Sequence, residues 1–357
     1  MSYKILEYDK YLKPFENDIN LRMDNFERKK KQLLKKGETL NDFANGHHYF
    51  GFHKAKKGWY YREWAPGADA LYIMGDMNGW NKTSLPMKNI GNGIYEIFLT
   101  GENNLYAGCK VKTVVEKDGK LLERIPLYAH RVVQDKKTYE WCCEILDEPK
   151  YKWKKKTFTP AKQLFIYECH IGMAQEEEKV GSFIEFRDNI LPRIKDLGYN
   201  TIQIMAIMEH PYYGSFGYQV SNFFAVSSKY GMPSELKSLI DTAHEMGITV
   251  LLDLVHSHAV KNTAEGINEF DGTDYQFFHT GEKGHHREWD TKLFNYDKNE
   301  VLLFLLSNLK YWLEEYHFDG FRFDGITSML YHDHGMGTAF TDYSKYFSLN
   351  TDRKSVV

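Results

Sequence analysis

The sequence is poor in cysteine and in excess charge of either sign. Its 357 residues include four Cys, two of them adjacent (Cys142 and Cys143) and none in a CxxC pair. That is too few for a disulfide framework, and reduced thiols in a cytoplasmic protein are expected. Lys plus Arg number 46 against 49 Asp plus Glu, a net charge of −3. The large basic excess of a nucleic-acid or membrane-surface binder is missing, so neither partner is expected. The longest apolar run, Val301 to Leu306, falls far short of the ~20 residues that span a bilayer. The opening Met1-Ser-Tyr-Lys-Ile-Leu-Glu lacks the apolar core of a signal peptide. With 42% hydrophobic and 27% charged residues the composition is ordinary for a globular protein. Aromatic side chains are plentiful: 25 Tyr and 23 Phe bring their share to 15%, enough for a large aromatic core or for surfaces that stack on sugars.

Along its length the chain changes rhythm. Residues 1–40 form an N-terminal helical segment: from 11 to about 36, Leu21, Phe26, Leu33 and Leu34 recur at an imperfect helical spacing. Arg28-Lys29-Lys30-Lys31 reads as the solvated face of that helix. Over 41–148 the runs 59–64, 70–74, 93–99, 111–115 and 138–141 are β-branched and aromatic. They are punctuated by Pro66-Gly67, Asn78-Gly79, Gly91-Asn92-Gly93 and Asp118-Gly119, the last a strong hairpin signal. Short strands at this spacing predict a β-sandwich. Residues 149–160, lysine-rich after Pro149, break the pattern as a linker.

Over 161–357 strands (164–170, 201–207, 248–255, 320–324) alternate with helices (183–197, 234–246, 299–316), which means parallel pairing. Gly198 and Gly247 close the first two helices. Surplus chain at 208–233 and in a long inserted loop at 256–298 falls at the C-terminal ends of strands, where βα barrels keep their chemistry. The expected fold is multidomain: N-terminal helix, β-sandwich, then the first four strands of a (β/α)₈ TIM barrel. An open Rossmann-like sheet is the alternative, but no G-x-G-x-x-G follows the first barrel strand.

Three motifs can carry chemistry. In Gly320-Phe321-Arg322-Phe323-Asp324 the two-residue period puts Arg322 and Asp324 on one face. An Arg beside an Asp favours the ionised carboxylate. The pair is either a structural ion pair or a carboxylate nucleophile held charged, as covalent glycosyl transfer needs. The third strand ends Asp253-Leu-Val-His256-Ser257-His258, a carboxylate and imidazoles suited to a polyhydroxylated ligand. His256 with His258, or His332-Asp333-His334, could equally hold a metal, but neither a metal nor a cofactor is expected. In His210-Pro-Tyr-Tyr-Gly-Ser-Phe-Gly-Tyr218-Gln219 a tyrosine beside glycine either packs in the loop or presents its ring to a sugar.

These motifs, each at the end of its own strand, resemble the alpha-amylase clan of glycoside hydrolases and transglycosidases. The stretches Tyr212-Tyr-Gly-Ser-Phe-Gly-Tyr-Gln, Asp253-Leu-Val-His-Ser-His and Asp324-Gly-Ile-Thr-Ser-Met-Leu-Tyr331 are similar to the eukaryotic 1,4-alpha-glucan (glycogen) branching enzymes. Trp64-Ala-Pro-Gly-Ala and Gly75-Asp-Met-Asn-Gly-Trp80 resemble the family 48 carbohydrate-binding module that precedes the barrel there. The resemblance implies Asp324 as nucleophile, Arg322 as its partner, and Tyr218, Asp253 and His258 as contacts to the sugar before the cleavage point. Ser257 stands where amylases have Asn. The implied reaction cleaves an α-1,4-glucan with retention and passes the chain to a 6-hydroxyl. The implied parent enzyme is a monomer. A debranching hydrolase of the same clan and a non-catalytic glucan binder are the rivals; Thr327-Ser-Met-Leu330 favours branching. Trp59 and Trp80 are candidate glucan contacts of the sandwich or members of its core.

The resemblance also implies what is missing. The general-acid Glu and a second Asp of the family come from strands beyond the fourth, and are absent from this chain. Asp352-Arg-Lys-Ser-Val-Val leaves the family pattern and matches what a sequencing adapter encodes in one frame. A gene fragment is expected, with a genuine truncated isoform as the alternative. A half barrel leaves unpaired edges and an exposed inner layer, so this polypeptide is expected to aggregate readily and not to branch glucan.

Overall fold

The structure, a computed structural model, describes residues 3–331, 334, 335, 337 and 339–347; the anomalous 352–357 and the first two residues of His332-Asp333-His334 lie outside these. The chain opens with α1 (Ile5–Tyr8), a 3₁₀ turn and α2 (Glu16–Leu33). Acidic Glu16 and Asp18 start α2 while Lys30 and Lys31 end it, the arrangement its dipole favours. None of its residues is buried, so α2 rides on the surface. A capping box between Thr39 and Asp42 starts α3 (Leu40–Phe43), and a 3₁₀ turn (Gly46–His48) follows.

The sandwich has nine strands: β1 (Gly51–Ala55), β2 (Gly58–Trp64), β3 (Ala70–Gly75), β4 (Lys88–Gly91), β5 (Ile94–Leu99), β6 (Lys110–Lys117), β7 (Lys120–Arg124), β8 (Val132–Gln134) and β9 (Trp141–Glu144). They make two antiparallel sheets, β1-β2-β5-β4 and β3-β6-β9-β8, with β7 added to β6. Asp118 and Gly119 both take positive φ, 49° and 74°, which is the geometry of a two-residue hairpin turn. Tyr61, Leu71, Ile73, Val111, Val115 and Val132 are fully buried in the core. The strand expected at 138–141 starts later. Asp135 accepts from the backbone N–H of Lys137 and Thr138, and Tyr139 takes φ 61°. A turn therefore fills that segment, and β9 begins only at Trp141. Trp59 belongs to the core. Trp80 does not: it is half-buried at φ 62°, its indole N–H donating to Asp76 Oδ1 at 3.0 Å.

The segment 149–160 has no regular structure, yet it is strapped down. The Tyr151 hydroxyl and the backbone N–H groups of Lys154 and Lys155 all donate to the Asp241 carboxylate. Trp153 stacks on His317 at 3.9 Å.

Beyond it come β10 (Ile166–Cys169), α4 (Phe183–Glu185), a π turn (Phe186–Ile190), α5 (Leu191–Asp196) and β11 (Thr201–Ile204). The wide turn precedes Pro192, which has no N–H for a regular helical bond. Then follow β12 (Met208–Glu209) paired with β13 (Asn222–Val226), α6 (Pro233–Glu245), and β14 (Thr249–Leu254). The inserted loop holds β15 (His258–Ala259), β16 (His285–His286) and β17 (Thr291–Leu293), a small sheet of its own. The chain continues into α7 (Asn299–Tyr316), β18 (Gly320–Phe323), α8 (Ile326–Leu330) and α9 (Tyr343–Tyr346).

The strands β10-β11-β14-β18 form one sheet, each parallel to the next. It is part of a TIM barrel. On its outer face Ile202, Ile204, Val250, Leu252 and Leu254 are fully buried. Its lumen face is mixed: Gln203 donates to Glu168 across the strands at 3.1 Å, while Ile166, Glu168 and Arg322 are exposed. Among the described residues β10 and β18 are the sheet's edges.

Sandwich and half barrel share one core. Tyr128 packs on Phe50, Phe224 and Phe304, with centroids 4.6–5.4 Å away. Arg124 donates twice to the Glu269 carbonyl, and Gly67 N–H to Asp271. All four cysteines are unpaired and buried. Among the described residues no helix is long and apolar enough to cross a membrane.

Candidate active site

Parallel pairing of β14 with β18 sets Asp253 directly beside Arg322. The strand period then brings Asp324 to the same side. Arg322 Nη1 donates to Asp253 Oδ2 at 3.1 Å and to Asp324 Oδ1 at 3.0 Å. Exposure rises across the trio: the Asp253 side chain is at 0%, Asp324 at 23% and Arg322 at 46%. One guanidinium thus joins a sealed carboxylate to an accessible one.

Tyr218 completes the inner wall. Its hydroxyl donates to Asp253 Oδ2 at 2.5 Å. The preceding residue has to be glycine. Gly217 sits at φ 92°, and a Cβ there would lie 1.9 Å from the Ala206 carbonyl oxygen. The loop rests on a buried ion pair. Glu209, fully buried, accepts from Lys229, Ser227 and Ser228, while Lys229 also reaches the His210 carbonyl.

His258 is held from both sides. Its Nε2–H donates to the Tyr218 carbonyl at 2.9 Å, which leaves Nδ1 to accept from the Ser257 hydroxyl at 2.8 Å. Burial lowers its pKa, which favours the neutral ring. His256, two residues earlier, turns away to the outer face and bonds Asn308 of α7 at 2.9 Å. The two histidines therefore do not converge as a metal pair.

Electrostatics favour a polar guest. Burial raises the Asp253 carboxyl above its ordinary value against the pull of Tyr218 and Arg322. Burial also raises the Tyr218 phenol, and the Asp253 carboxylate adds to it. Among the buried polar atoms without a hydrogen-bond partner are Asp253 Oδ1, His170 Nδ1 at the end of β10, and His210 Nε2 in the loop after β12. Such atoms are costly to leave unmatched, and a ligand rich in hydroxyls matches acceptors and donors alike.

The five sequence-derived residues, Tyr218, Asp253, His258, Arg322 and Asp324, are thus brought together. Sequence reasoning missed Trp289. It lies in the inserted loop, 37% exposed, stacked on His286 at 3.9 Å and tilted against His258 at 5.0 Å. Its signal was a lone tryptophan between charged residues in a turn.

Residues 49–129 match carbohydrate-binding module 48 (isoamylase N-terminal domain), and residues 188–291 match the alpha amylase catalytic domain. The 1,4-alpha-glucan-branching enzyme of Felis catus is 48% identical over 99% of this chain and 52% of its own length. The 1,4-alpha-glucan-branching enzyme 2-2, chloroplastic/amyloplastic, of Arabidopsis thaliana is 46% identical over 99% of this chain and 45% of its own. The chain spans about half the length of the curated relatives it matches. Among solved structures, a type I pullulanase from Bacillus subtilis complexed with maltose superposes with a TM-score of 0.65 at 21% identity, covering 80% of this chain and 44% of that one. That likeness speaks for the fold alone.

Proposed function

We propose that these residues form half of the active site of a retaining α-glucan transferase that makes α-1,6 branches. The observation that carries the reading is the single guanidinium bridging Asp253 and Asp324 on the lumen face. The 46–48% identity to branching enzymes over nearly the whole chain supports it.

In this reading Asp324, the more accessible carboxylate, attacks the anomeric carbon of an α-1,4-glucan and forms the glycosyl ester. Arg322 Nη1 holds its Oδ1 in place. Asp253 Oδ1, which lacks a partner, accepts from a sugar hydroxyl, and Tyr218 lines the same sugar. A hydroxyl reaches His258 Nδ1 only by displacing Ser257. Retention needs a second carboxyl about 5 Å from the first to protonate the leaving oxygen. Asp253 is unsuited to that, being committed to Arg322 and Tyr218. In this reading the acid comes from a strand beyond β18, as the family resemblance implies. A glucan 6-hydroxyl then accepts the chain.

The test is amylose incubated with a chain extended to the relatives' length. A blue shift of the iodine complex supports branching; linear chains released from glycogen instead assign it to the debranching hydrolases. A second reading applies to this chain by itself, because the lumen face around Arg322 is open. It binds glucan without transferring it, so glycogen in a native gel retards it while amylose stays unbranched. A monomer in the cytoplasm belongs to the same proposal; gel filtration and cell fractionation test it.

A further inference from the structure

Away from the barrel rim, three metal-ligating side chains meet where α7 passes the turn that precedes the sandwich. The turn Gly46–His48 is fixed in place: Gly46 N–H donates to Ser307 Oγ of α7 at 2.7 Å. Lys310, one turn further along α7, reaches back to the Asn41 carbonyl and Asn45 Oδ1 at 2.9 and 2.6 Å. A Cβ on Gly46 would lie 2.8 Å from the Tyr128 hydroxyl, so the turn sits hard against its neighbours.

This seating buries His47, which is 6% exposed, against the rings of His48 and Tyr311. Neither nitrogen of His47 has a hydrogen bond. Its Nε2 faces Glu314 Oε2 at 3.4 Å, and the same oxygen accepts from His48 Nε2 at 3.2 Å. One ligand atom from each of the three residues lies within 4.8 Å of the others.

A buried imidazole whose Nδ1 has no partner and whose Nε2 has only this long contact costs stability in the apo fold. Two imidazoles with one carboxylate suit a borderline cation, whereas Mg²⁺ and Ca²⁺ prefer oxygen shells. Three protein ligands and a water complete a tetrahedron for Zn²⁺. Lys310, a nearby positive charge, lies 3.6 Å from Glu314 Oε1. It takes the other carboxylate oxygen and leaves Oε2 for the cation. We propose that His47, His48 and Glu314 form a zinc-class divalent cation site that clamps the turn before the sandwich to α7. This site is independent of the glucan reading.

Calorimetric titration of the tag-free, chelator-stripped chain with ZnCl₂ tests it. One equivalent is expected to bind, to raise Tm, and to give visible d–d absorption when Co²⁺ replaces zinc; MgCl₂ is expected to do none of these. His48→Ala changes an exposed side chain and Glu314→Gln keeps its shape, so both variants retain the wild-type circular dichroism spectrum. Each is expected to weaken zinc at least about tenfold, since losing even an outer partner costs 10–100-fold. No stoichiometric binding, or wild-type zinc affinity in either variant, overturns the proposal.

Discussion

Two fully buried carboxylates, Glu63 in the sandwich and Asp253 at the barrel rim, are satisfied in opposite ways. Glu63 accepts from the Tyr61 hydroxyl and from the backbone N–H of Trp64 and Leu127, so both of its oxygens are matched within the domain. Asp253 is matched through Oδ2 alone, by Tyr218 and Arg322, and leaves Oδ1 bare. The first is a structural device that ties β2 to the segment after β7. The second is an incomplete set, and incompleteness beside an accessible Arg–Asp pair is what a binding site looks like before its ligand arrives.

The sharpest contrast comes from the residue next to the incomplete set. In a chain extended to the relatives' length, Asp324→Asn is expected to cut glucan transfer by about 10⁴–10⁶-fold, as losing a nucleophile does, with little change in denaturation midpoint. Glu63→Ala should do the reverse. It strands three buried donors at about 1–3 kcal/mol each, so a loss of at least about 3 kcal/mol in urea unfolding is expected. Equal stability losses from Glu63→Ala and Asp253→Asn would break the comparison.

Gly217→Ala comes next: its Cβ collides with the Ala206 carbonyl at positive φ. A cost of about 1–3 kcal/mol and displacement of Tyr218 are expected, read as weaker maltooligosaccharide binding. Asp253→Asn should weaken that binding on the order of tenfold, the worth of one charge-assisted hydrogen bond.

The smallest effect is the pH dependence. Burial pushes the Glu63 carboxyl up to about 8 from 4.5, outweighing its three donors. A raised folded-state value means the native state holds the proton more tightly. Its stabilising contribution is full below pH 4.5 and is lost as pH rises through about 8. Glu63→Gln should flatten that decline in urea midpoint; an unchanged slope would show that other groups cause it.

Much of this was legible in the chain. The helix at Asn299–Tyr316 has the apolar spacing of a buried face, and Asp118-Gly119 carries its own turn geometry. The strands β1, β4, β7 and β8 were not legible, because short edge segments owe their pairing to partners more than to composition. Residues 138–140 look like strand, yet the Asp135 carboxylate captures the backbone into a turn. His256 and His258 read alike in the sequence. One lies under α7 and the other on the rim, and only the position of Asn308 separates them.

The sequence by itself determined the succession of helix, sandwich and βα units and the shared face of Arg322 and Asp324, because periods of 3.6 and 2 residues are local properties of a chain. Tertiary structure alone decided that Arg322 also meets Asp253, that the lysine-rich linker is strapped to Asp241, and that His47 is sealed against α7. Those contacts depend on strand register and helix placement across tens to hundreds of residues, which no local period encodes.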